Sequence, residues 1–213
     1  MKLSRLALRV APLGLITFSC YAGGARDVSS QRAAALASNP SWIVARDVPL
    51  VRQQSDSDCG PAALTMVLGH FGVRATLAEV ITLDPPDRAG VRAGALRDVA
   101  RSRGLSAFVV PGTFEDLAAE LSHGRPILVG LAKPITGGRA VAHYEVVVAI
   151  DRKDRQILTL DPERGLRENT LERFAREWVP TGRVAIIISR LAARLPGTGK
   201  SVVDASAYAP LVR

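Results

Sequence analysis

The chain has 213 residues, 47% of them hydrophobic and 23% charged, which suits one globular domain with short extras and allows a full core. The net charge of +8 is scattered among acids and aromatics make up only 5%, so no stacking platform lies along a basic stripe, which argues against nucleic-acid binding. Two cysteines, Cys20 and Cys59, supply neither a disulfide framework nor a four-ligand zinc site, and no metal or cofactor set is visible.

The first nine residues carry Lys2, Arg5 and Arg9 and no acid. The apolar run that follows, "VAPLGLITFS", is too short for a membrane span. Residues 1–25 therefore read as an export signal. Cys20 stands where a bacterial lipoprotein signal carries its lipidated cysteine, so a periplasmic or membrane-anchored protein is expected. Residues 26–45 read as a linker and 46–190 as the domain. From Cys59 to about Phe71 the apolar residues Ala63, Leu64, Val67 and Leu68 recur at helical spacing, and Gly69 and Gly72 punctuate the end. "TLAEVITL" and "AGALRDVARSRG" are further helices, the second closed by Gly104. "LSAFVV" is a strand. "TFEDLAAELSHG" is a helix opened by a capping box of Thr113 and Asp116. "PILVGLA" is a buried strand. "AHYEVVVAID" and "QILTLD" form a hairpin around the polar "RKDR". "TLERFAREW" is a helix, "RVAIIISR" the last strand, and 191–213 a loose tail. Within that tail "GTGKS" mimics half a phosphate loop, but Arg194 stands where the first glycine is needed. Helices come first and strands dominate later, an α+β pattern.

Cys59 does not sit in an apolar run. It follows "SDSD" and opens a helix, where the first N–H groups and the macrodipole favour a thiolate over a thiol. The same N–H groups can hold an oxyanion, helped by a side-chain amide from Gln53 or Gln54. Asp58 is a candidate helix cap, and its charge and that of Asp56 would oppose the thiolate. A thiol nucleophile needs an imidazole. His70 ends the helix that Cys59 starts, roughly 16 Å away at ~1.5 Å per residue, which rules it out. His123 ends another helix and is explained as a partner for its last carbonyls. His143 opens the strand "HYEVVVAI" and is the candidate base, presented by a rigid element. Asp161 ends the next strand. In a hairpin the start of one strand faces the end of the other, which sets His143 beside Asp161 and leaves Asp151 at the wrong end. Glu145 is out of place within an apolar strand. Trp42 and Trp178 read as packing residues.

"QQSDSDCGPAALTMVLGHFG", "AHYEVVVAID" and "LTLDPERG" together resemble the bacteriocin-processing, double-glycine-leader peptidases, family thirty-nine of the papain-like cysteine peptidases. The resemblance covers about residues 46–190. It implies a papain-like fold in which a helical N-terminal half carrying the nucleophile packs on an antiparallel sheet carrying His and Asp. It implies Cys59 as nucleophile, His143 as base, Asp161 as its orienting carboxylate and Gln53, rather than Gln54, in the oxyanion hole. No cofactor is implied. The expected partner is a peptide or protein substrate, cut after a Gly-Gly-like site. A peptide-export transporter is a further partner, not encoded in these residues. Two rivals stand beside hydrolysis: acyl transfer to an amine by the same residues, and a catalytically silent peptide-binding module.

Overall fold

The computed structural model describes residues 23–83 and 90–190. Its elements in chain order are β1 (Arg26–Asp27), α1 (Ser30–Ser38), β2 (Trp42–Val44), α2 (Cys59–His70), α3 (Leu77–Leu83), α4 (Ala93–Ser102), β3 (Leu105–Pro111), α5 (Phe114–Ser122), β4 (Ile127–Pro134), β5 (Ala140–Asp151), β6 (Gln156–Asp161), β7 (Gly165–Thr170), α6 (Leu171–Trp178), a 3-10 turn (Val179–Thr181) and β8 (Val184–Arg190). The expected α+β architecture is what the chain adopts. The sheet runs β1-β7-β6-β5-β4-β8-β3, with every neighbour antiparallel.

Alternation along the central strands feeds two cores. Leu128, Val146 and Ile186 face α2 and α4, where Leu64, Leu68 and Leu96 meet them. Val129, Leu131, Val147 and Ala185 face the other way, onto Leu117 and Leu121 of α5 and Phe174 and Trp178 of α6. The sheet is thus covered by helices on both faces. The polarity of α5 and α6 is fixed by their starts: Thr113 and Asp116 close the predicted capping box, and Thr170 caps α6.

Residues 26–45 are not a linker. Trp42–Val44 pairs with Ala149–Asp151 of β5, taking the lane that β4 leaves beyond Ile127. Arg26 and Asp27 pair with β7. Leu36, Trp42 and Ala45 are buried. The segment looked unstructured because its buried residues are few and its strands are two and three residues long, below the length at which periodicity shows. β7 was also unanticipated: its inward positions are Gly165, Arg167 and Asn169, with no apolar alternation to read. The signal over 1–25, Cys20 included, and the tail 191–213 fall outside the described residues, apart from 23–25. No helix among the described residues is long and apolar enough to cross a membrane.

Candidate active site

β6 stops at Asp161, one position past the Val146–Leu160 pair, while β5 runs on to Ala140. His143 therefore projects from a part of β5 supported by β4 (opposite Leu131) but no longer flanked by β6. The loop before α2 fills that place, tied down by the Gln53 backbone N–H donating to the Pro162 carbonyl at 3.1 Å. α2 then begins at Cys59 itself. Its first turn sits so close to β5 that a Cβ on Gly60 would lie 3.2 Å from both Tyr144 Cδ2 and Leu96 Cδ1. That approach sets Cys59 beside His143 in one cleft, where the sulfur favours the charged form of the ring.

His143 Nε2 lies 3.0 Å from Asp161 Oδ1, with both side chains buried. The same Oδ1 accepts the backbone N–H groups of Glu163 at 2.8 Å and Arg164 at 3.3 Å. Asp161 thus both opens a turn and engages the imidazole. Burial disfavours a charged His143, but hydrogen bonds to Asp161 and Cys59, with the charges of Cys59 and Glu145, outweigh it and hold the ring protonated to about pH 10. Burial, then the Cys59 charge, pushes the Tyr144 phenol up to about 12. Burial also raises the Glu163 carboxyl. Cys59 is the free cysteine of the described residues. Asp58 occupies the N-cap position but makes no side-chain capping bond, so the expected cap is absent; α2 is started by its backbone, with Ala62 N–H on the Asp58 carbonyl at 2.9 Å.

Cys59, His143 and Gln53 line one cleft of about 860 Å³, with Asp56, Glu163, Val91, Leu131, Tyr144 and Val184 among its walls. Gln53 Oε1 is buried without a hydrogen-bond partner. A separate cavity of about 420 Å³, lined by Arg26, Trp42, Asp151 and Asn169 among others, shares none of these residues. His70 lies at the far end of α2, and His123 Nδ1 meets the Ala119 carbonyl at 2.7 Å, a helix-end partner as expected. Asp151 takes the N–H groups of Lys153 and Asp154 in the turn at the opposite end of the hairpin.

His143, Glu145 and Asp161 bring potential metal-ligand atoms within 4.8 Å of one another. These groups are already matched, His143 with Asp161 and Glu145 with the buried Lys133 at 2.5 Å. Lys133 and Glu177 escaped notice in the sequence. The only hint was a lysine one residue beyond where the apolar strand is expected to end, with an acid inside the next strand.

The sequence model of the peptidase C39 family matches residues 47–191. An uncharacterized protein of Methanothermobacter marburgensis is 33% identical over 141 residues, which is 66% of this chain and 89% of that protein. The lactococcin-G-processing and transport ATP-binding protein of Lactococcus lactis is 28% identical over 138 residues, 61% of this chain but only 17% of the transporter. Among solved structures, the peptidase domain of Streptococcus ComA, a bi-functional ABC transporter involved in quorum sensing, superposes with a TM-score of 0.55 at 27% identity, over 68% of this chain and all of that domain.

Proposed function

The chain belongs to the peptidase C39 family and is a cysteine peptidase of papain-like fold, and we propose that Cys59, His143, Asp161 and Gln53 carry its chemistry. The observation that supports this reading most is one cleft that holds Cys59, at the first position of α2, and the His143 ring, whose Nε2 lies 3.0 Å from Asp161 Oδ1.

With Nε2 engaged by Asp161, Nδ1 is the ring nitrogen left to exchange a proton with the sulfur. The Cys59 thiolate attacks the peptide carbonyl carbon, and the carbonyl electron pair moves onto oxygen. The Cys59 backbone N–H and the Gln53 carboxamide hold that oxyanion. His143 then passes its proton to the departing amine, the C–N bond breaks, and a thioester remains. Water follows, gives its proton to His143 as it attacks, and the acid is released with the thiolate restored. Asp161 acts through the imidazole, fixing its orientation and favouring its protonated form.

The substrate we propose is a peptide cut after a Gly-Gly-like site, supported by the processing role in the Lactococcus relative's name. A transporter partner belongs to the same proposal. Export and anchoring through Cys20 rest on residues 1–25 alone, and mass spectrometry of the mature N-terminus tests them; a retained Met1 would rule export out.

The decisive variant is Cys59→Ala. Cys59 is small and buried, so the fold should survive while peptide hydrolysis disappears. Retained turnover would refute the assignment. In the parent, products formed with and without an added amine separate hydrolysis from acyl transfer.

A further inference from the structure

Glu145 has no part in the chemistry above. It is 1% exposed, lies in an otherwise apolar stretch of β5, and shares a side of that strand with His143 two residues away. Its carboxylate, the Asp161 carboxylate and a His143 ring nitrogen lie within 4.8 Å of one another. Two carboxylates that close repel, and ordinarily one of them takes up a proton. Lys133 of β4 relieves this. Its ammonium, 2% exposed, lies 2.5 Å from Glu145 Oε1 and 2.6 Å from Glu177 Oε2 of α6. Burial disfavours that charge, yet Glu145 and Glu177 together raise the lysine above its ordinary range. Glu177 in turn accepts the Gly24 N–H at 2.9 Å through Oε1.

Such a cluster is a poor source of stability. Removing three charges from water costs about as much as their attraction returns, and an apolar filling of the same volume does as well or better. Its presence against the imidazole calls for another reason. We propose that Glu145, clamped by Lys133, is a positioning residue: a second carboxylate beside the imidazole that joins Asp161 in keeping His143 protonated and facing Cys59. The inference rests on the assignment of Cys59 and His143 as the reacting pair.

The charged and titratable groups around the ring are Cys59 from α2, Asp161 from β6, Glu163 from the turn after it, and Glu145 from β5. Lys133 and Glu177 stand behind Glu145. Cys59, Asp161 and Glu145 all favour the imidazolium, whereas burial opposes it. Glu145→Gln keeps the shape and removes one favourable charge. A charge at this range, partly offset by Lys133, moves a titration by about one pH unit.

The test is an NMR titration of the full chain labelled at histidine, with the His143 signal assigned through His143→Ala. In Glu145→Gln the His143 midpoint should fall by about one pH unit. The triple variant Lys133→Met, Glu145→Leu, Glu177→Gln removes the cluster's charges and should show a fall in the same direction, smaller because the opposing Lys133 charge goes too, while still unfolding cooperatively. An unmoved or raised midpoint in either folded variant overturns the inference. So does failure of both variants to fold, since the cluster would then be a folding element. The readout needs no turnover, so it stands or falls apart from the Cys59→Ala result that tests the peptidase assignment.

Discussion

Asp161→Asn separates two jobs held by one oxygen. Oδ1 receives the His143 ring and the N–H groups of Glu163 and Arg164. An asparagine keeps that acceptor, so the turn and the ring orientation survive and only the charge is lost. The magnitude follows from His143, which is lifted from 6.5 to about 10. At ~1.4 kcal/mol per pH unit that is about 5 kcal/mol of net preference for the imidazolium. Burial works against it, and Asp161 leads the contributions in its favour. A hydrogen bond between charged groups contributes about 1.5–3 kcal/mol. Removing the charge should therefore lower the His143 titration by about one to two units. The sign is fixed: a raised value keeps the leaving-group proton available up to about pH 10, so the alkaline limb of kcat/KM belongs near there in the parent. In Asp161→Asn the limb should move down to about pH 8–9. The assay is kcat/KM on a peptide substrate from mildly acidic to strongly alkaline pH, with thiol alkylation in parallel. A limb that stays put, or moves up, would mean that Asp161 serves the turn alone.

Two further outcomes follow from the site and the fold. Gln53→Ala should lower kcat by roughly 10²–10³-fold with a smaller change in KM, because an oxyanion donor acts on the transition state; a change confined to KM would make Gln53 a binding residue only. Trp42→Ala should cost about 3–5 kcal/mol in urea unfolding, the usual loss for a buried tryptophan. A loss under about 1 kcal/mol would restore the reading of residues 26–45 as a linker.

The reading from sequence succeeded where one physical signal dominated. α2 shows helical apolar spacing, and the helix of 113–124 announces itself through Thr113 and Asp116. Hairpin topology alone paired His143 with Asp161. It failed where burial is achieved with polar residues. Arg167 turns inward in β7 because Asp27 and the Ala25 carbonyl meet its guanidinium, and both partners lie more than a hundred residues earlier. Neither half of that contact is visible without the other. Lys133 and Glu177 are the same case: each is an ordinary surface residue until the fold brings it against a partner. The cleft walls Gly130, Val184 and Thr181 come from separate elements and carry no shared spacing.

The two aspartates of the hairpin show how little residue type says about function. Asp151 and Asp161 each end a strand, and each accepts two backbone N–H groups from the turn that follows, Lys153 and Asp154 in one case, Glu163 and Arg164 in the other. What differs is the remaining partner. Asp151 meets the Ser41 hydroxyl and so ties β2 to β5, whereas Asp161 meets an imidazole. The turn chemistry comes with the residue; the role comes from which end of the hairpin it occupies. An orienting carboxylate built on a turn has an advantage. The turn fixes the carboxylate whether or not the histidine is charged, so in the proposed mechanism His143 would give up and regain its proton without its partner moving. It follows that Asp161→Ala should do more harm than Asp161→Asn, because it removes the turn as well as the charge.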